Sequence, residues 1–108
     1  MKQNTQIDFE FEVLAAKQPV LVDFYTDTCP PCRAMAPVLQ EWETEANGAV
    51  KIVKVNAAEE PGLATTYRVN AVPKFLLFSN GQCVGQTIGA KSKNSMKKWF
   101  DDSLKTAA

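Results

Sequence analysis

The stretch Val20-Leu21-Val22-Asp23-Phe24-Tyr25, followed by Thr28-Cys29-Pro30-Pro31-Cys32-Arg33, decides how the chain is read. Its first half is apolar on both faces, as expected of a central strand covered on each side. Its second half is a C-x-x-C leading into a helical segment, Ala34 to Ala46, in which Met35, Val38, Leu39 and Trp42 recur at three- and four-residue steps. Two thiols at this spacing meet only if the backbone turns, and a strand ending where a helix begins supplies the turn. A helix start presents unpaired N–H groups and the positive end of the dipole, both of which favour a thiolate. Cys29 is therefore expected to be the nucleophile and Cys32, one turn further in, the more buried partner. Pro30 and Pro31 suit a first turn, whose N–H groups lack intrahelical partners anyway.

Composition narrows the chemistry. The 108 residues carry 12 basic and 12 acidic side chains, so charge gives no case for nucleic acid or an anionic membrane. An apolar fraction of 45% supports a core within one domain spanning 1–108. No apolar run reaches membrane-spanning length, and Met1 to Gln6 is too polar for a signal-peptide core, so a cytoplasmic location is expected. The absence of histidine excludes Cys–His and Ser–His catalysis. With only Cys83 beyond the pair, four soft metal ligands cannot be assembled, and no metal is expected.

Outward from this centre, Asp8 to Lys17 reads as a helix, with Ile7, Phe11, Leu14 and Ala15 at helical spacing. Pro37 sits inside the helix after the cysteines and is expected to bend it, and Asn47-Gly48 ends it. Lys51 to Val55 is a strand, Gly62 to Tyr67 a short helix, and Lys74 to Phe78 a strand. Ser79-Asn80-Gly81-Gln82 is a hairpin turn into a strand from Gln82 to Ile88, with Gly85 a candidate bulge. Lys93 to Leu104 is a final helix capped by Ser92. The order αβαβαββα predicts an α/β fold with a mixed sheet and helices on both faces.

Two further residues carry a reading of their own. Asp23 is an acid within an apolar strand, where burial raises a carboxyl pKa; it is a candidate proton acceptor for Cys32. Cys83 is expected to be a small buried hydrophobe, the alternative being a regulatory thiol open to glutathionylation or dimerisation.

The element order and the C-x-x-C after the first central strand resemble the thioredoxin family. The resemblance rests on Val22-Asp23-Phe24, Cys29-Pro30-Pro31-Cys32, Ala36-Pro37, Lys54-Val55-Asn56, Val72-Pro73, Asn80-Gly81 and Gly89, and covers nearly the whole chain. It implies the thioredoxin fold, a cis bond before Pro73, and reduction of protein disulfides by dithiol–disulfide exchange. It requires no cofactor beyond the Cys29–Cys32 disulfide. It also implies Lys54 as charge partner of Asp23, a thioredoxin reductase as electron donor, and a monomer. Substrate would lie across Thr28, Pro30, Pro31, Val72, Pro73, Lys74 and the Gly89-Ala90 loop. The Val72 backbone would pair with an extended substrate segment.

Departures from the family pattern locate what is particular to this chain. Thr28 stands where the family usually has Trp, Pro30 where it has Gly, Tyr25 where it has Trp, Ala58 where it has Asp, and Lys74 where it has Thr. Lys74 is expected to bring positive charge to the rim and favour acidic segments. Met1 to Asn4 is too short and polar for the family's first strand, so that edge strand is expected to be short or missing. The competing readings are a disulfide oxidant or isomerase, and a binding module whose thiols are dispensable.

Overall fold

The computed structural model describes the backbone of residues 2–3 and the backbone and side chains of residues 9–107. Among the described residues five strands form one sheet in the order β1-β3-β2-β4-β5. They are β1 (Lys2–Gln3), β2 (Val20–Tyr25), β3 (Lys51–Asn56), β4 (Lys74–Ser79) and β5 (Gln82–Ile88). The pairs β1–β3 and β2–β3 are parallel, whereas β2–β4 and β4–β5 are antiparallel. Among the described residues the edge strand β1 spans Lys2–Gln3.

Alternation along the central strands splits the core into two layers. Val20, Val22 and Phe24 of β2 pack with Val53, Val55, Leu76 and Phe78 on one face. That face is covered by α1 (Glu10–Leu14) and α3 (Pro61–Thr66) through Phe9, Val13 and Leu63. Leu21, Ile52, Phe75 and Leu77 point the other way. They meet Met35, Leu39 and Trp42 of α2 (Pro30–Ala46), and Met96 and Phe100 of α4 (Lys93–Ala107). Met35, Leu39 and Trp42 belong to the stripe whose helical spacing the sequence shows, and Met96 and Phe100 stand four residues apart on one face of α4 in the same way. Ser92 caps α4 as expected, its hydroxyl accepting from the Ser95 N–H at 3.1 Å.

The first helix departs from expectation. Among the described residues Phe9 is helical and Glu10–Leu14 continues as a wide turn closed by an Ala15 N–H to Glu10 carbonyl bond of 2.8 Å, where the sequence predicts an ordinary α-helix to Lys17. Phe9 and Val13 are buried with Leu14 packed against their cluster, whereas Phe11 is 77% exposed, so only part of the expected stripe packs. Ile7 and Asp8 lie outside the described residues.

The β5 irregularity also sits elsewhere than expected. Leu77 pairs with Gly85 and Phe78 with Cys83, which leaves Val84 as the extra residue. Gly85 serves a close approach instead, because a Cβ there would stand 2.5 Å from the Ser103 hydroxyl on α4.

Candidate functional site

The register gathers the sequence-predicted residues at one end of the sheet. Phe24 pairs with Lys74, and Lys74 with Ile88, so the loop after β2, the residues before β4 and the loop after β5 share that end. The Gly89 N–H donates to the Pro73 carbonyl at 2.9 Å. The Lys91 N–H reaches the Met35 sulfur at 3.3 Å, which ties the Gly89-Ala90 loop to α2 one turn beyond Cys32. The Val72–Pro73 bond is cis. Pro73 is buried and Val72 half-buried, while Thr28, Pro30, Pro31 and Ala90 are exposed.

Cys29 is the N-cap of α2, and Cys29 and Cys32 are joined as a disulfide with Cα atoms 5.2 Å apart. Pro30 and Pro31 occupy the first two helical positions and have no N–H. The first donor of the helix is therefore Cys32, whose N–H points at the Cys29 sulfur, 3.2 Å away. Once the disulfide opens, that donor and the positive end of a 17-residue helix would meet a thiolate at Cys29. Burial does not distinguish the pair as expected, since Cys29 is 7% and Cys32 6% exposed. Their difference is one of position, Cys29 preceding the helix and Cys32 lying within it.

Asp23, on the sheet face that packs against α2, is 2% exposed, and its Oδ1 has no hydrogen-bond partner. Burial pushes its pKa up from 3.8 to about 6, and the Lys54 charge opposes the rise. Lys54 stands opposite Asp23 in the β2–β3 ladder. A cleft lined by Tyr25, Asp27, Cys32, Arg33 and Lys54 opens from this face.

Two sequence expectations need correction. Lys74 brings no charge to a substrate rim. It is 5% exposed, and its ammonium donates to the carbonyls of Tyr67 and Arg68, each at 3.0 Å. The side chain satisfies the C-terminal end of α3, where orphan carbonyls need donors. Cys83 is not a buried hydrophobe: it is exposed on edge strand β5, its thiol 3.5 Å from the Gly85 carbonyl.

Tyr25 was missed as a site residue. The Lys54 ammonium lies 4.4 Å from the centroid of its ring. The available signal was the strand period, which puts Tyr25 on the same face as Asp23 two residues earlier. Among the described residues no group of three or more His, Cys, Asp or Glu side chains is placed to hold a metal ion. Among them, too, no helix is long and apolar enough to cross a membrane.

A strand-to-helix turn holding a Cys29–Cys32 disulfide at a helix N-terminus, on a mixed sheet covered by helices on both faces, defines a thiol–disulfide oxidoreductase of the C-x-x-C class. Comparison with known proteins agrees. The family model described as thioredoxin matches residues 1–102. Thioredoxin of Rickettsia felis is 37% identical over 93% of this chain and 95% of its own. Thioredoxin C-2 of Corynebacterium nephridii is 39% identical over 94% of each chain. Thioredoxin 1 of Nostoc sp. is 38% identical over 94% of this chain and 95% of its own. The chain belongs to the thioredoxin family.

Proposed function

We propose that residues 1–108 act as one domain that reduces protein disulfides in the cytoplasm and is recharged by a thioredoxin reductase. The observation that carries the assignment of roles is the Cys32 N–H aimed at the Cys29 sulfur. The Cys29 thiolate attacks one sulfur of a substrate disulfide. A Cys29–substrate S–S bond forms, and the other substrate sulfur leaves as a thiolate that takes a proton. Cys32 then gives its proton to Asp23, directly or through water, and attacks the Cys29 sulfur. The Cys29–Cys32 bond re-forms and the substrate leaves as a dithiol, two electrons richer. Burial supports the acceptor role of Asp23, because a carboxyl titrating at about 6 can take and return a proton near neutrality. Lys54 limits how far that titration rises.

The substrate platform in this reading comprises Thr28, Pro30, Pro31, Val72, Pro73, Gly89 and Ala90. An extended substrate segment crosses it and pairs with the Val72 backbone. The chain works as a monomer with no cofactor beyond its own disulfide.

The test is insulin reduction, first with dithiothreitol and then with a thioredoxin reductase and its reductant. Cys29→Ser abolishes both rates, and Cys32→Ser accumulates a mixed disulfide through Cys29. An unchanged rate of insulin reduction in Cys29→Ser would remove Cys29 from the chemistry, and no reduction by the parent at all would leave only a binding role. Activity with dithiothreitol but none with the reductase would remove that partner while leaving the chemistry.

A further inference from the structure

The cleft beside Cys32 contains a contact that belongs to this chain's own residues. Asp23 and Tyr25 alternate onto one face of β2, and Lys54 stands opposite Asp23 on β3. From there the Lys54 side chain folds over the Tyr25 ring, its ammonium 4.4 Å from the centroid. An aromatic face attracts a cation, and the half-buried ring holds in place a chain that water would otherwise draw outward.

We propose that Tyr25 is a positioning residue for this reaction: its ring fixes the Lys54 ammonium at the cleft, where that charge sets the proton affinity of Asp23 during release of the mixed disulfide. The proposal rests on the reading of Asp23 as proton acceptor for its consequence in turnover, but not for the coupling itself.

The surroundings of Asp23 make the position of this one cation matter. β4 places Phe75 opposite it, and Oδ1 has no hydrogen-bond donor. Of the charged and titratable groups around the cleft, Lys54 and Glu59 come from β3 and the loop after it, Asp27 from the loop after β2, and Arg33 and Cys32 from α2. Asp23's pKa is set by burial, which raises it, and then by Lys54, which lowers it. Tyr25 itself has a raised pKa, through burial first and Asp27 next, so its phenol stays protonated while Asp23 titrates. The ring acts through its face rather than through its proton.

The test follows the Asp23 side-chain carboxyl by carbon NMR across pH 4 to 9 in the oxidised protein, where Cys29 and Cys32 do not titrate. Tyr25→Leu should move the Asp23 midpoint upward, toward the value that loss of the Lys54 charge gives and no further. Tyr25→Phe, which keeps the ring face, should leave it in place. Lys54→Met should move it at least as far, and Tyr25→Leu added to Lys54→Met should move it no further. Tyr25→Gln, a second ring-free variant, gives the same reading should Tyr25→Leu fold poorly. An unmoved midpoint in both ring-free variants overturns the proposal, as does an equal shift from Tyr25→Leu with and without Lys54. The pH profile of insulin reduction should shift with the midpoint. A midpoint that moves while that profile does not would refute Asp23 as the proton acceptor and leave the Tyr25–Lys54 coupling standing.

Discussion

Asp23 and Lys54 face each other across the parallel β2–β3 ladder, yet the Asp23 Oδ1 has no hydrogen-bond partner and the Lys54 ammonium sits on Tyr25. A buried acid so placed destabilises the fold whenever it is ionised. Its folded pKa of about 6 lies above the ordinary 3.8, so the native state holds a proton that the unfolded chain has already lost. Between those values stability falls as pH rises, and the whole penalty is present above about 6. Below 3.8 both states are protonated and no penalty remains. Asp23→Asn should therefore raise stability at pH 8 by up to about 3 kcal/mol and change it little at pH 3.5. Urea midpoints at the two pH values measure this. The same variant should slow insulin reduction at neutral pH, since an amide accepts no proton from Cys32.

Lys74 is held at the end of α3, and its removal should be felt in stability rather than in substrate choice. Lys74→Met keeps the buried stem and leaves the Tyr67 and Arg68 carbonyls without their donor. Losing the hydrogen bonds of a charged donor to these part-buried carbonyls costs roughly 1–3 kcal/mol, to be read as a lowered urea midpoint. Paired peptide disulfides that differ only in flanking charge should keep the same ratio of rates in the variant as in the parent, at low and at high salt. A ratio that changes only in the variant would return Lys74 to the substrate surface.

These residues show which parts of the molecule could be read in advance. The central strands and the stripes of α2 and α4 are fixed by burial, which writes itself into the sequence as runs and periods of apolar residues. The C-x-x-C turn was legible because Val20–Tyr25 must end where the helix begins. Lys74 was not legible, because its partners are carbonyls six and seven residues earlier that approach only once α3 folds against the sheet. Cys83 was not, because its exposure follows from β5 lying at the sheet edge, which no local pattern states. In the first helical segment Phe9 and Val13 are buried and Phe11 is not; both sets of residues have helical spacing, so the period alone does not choose between them.

Cys83 should behave as an accessible thiol separate from the chemistry of the pair. In the oxidised protein the Cys29–Cys32 bond occupies the other two sulfurs, so a thiol reagent such as dithionitrobenzoate should release one equivalent without denaturant. Cys83→Ser should release none. Insulin reduction by Cys83→Ser should match the parent, because Cys83 pairs with Phe78 near the opposite end of the β4–β5 ladder from Lys74 and Pro73. A slow release that accelerates in urea would mean that the thiol is covered in solution.

Thr28 offers the most direct handle on partner range. It is exposed immediately before Cys29, so its side chain is available to whatever approaches the disulfide, and replacing it disturbs no core. Large aromatics contribute disproportionately to interfaces, because they remove much surface from water at little conformational cost. Thr28→Trp should therefore raise kcat/KM for insulin, and for reduction by a thioredoxin reductase, by several-fold to about tenfold, equivalent to about 1 kcal/mol of added contact. Its urea midpoint should change little, since the site is on the surface. The gain should fall mainly in KM, because the added ring touches the partner rather than the reacting sulfurs. Rates with dithiothreitol as sole reductant of the Cys29–Cys32 bond should stay as in the parent, because that reagent is too small to span the platform. An unchanged kcat/KM with both insulin and the reductase would show that position 28 lies outside the contact surface, and would move the determinant of partner range to Pro30 and the Gly89-Ala90 loop.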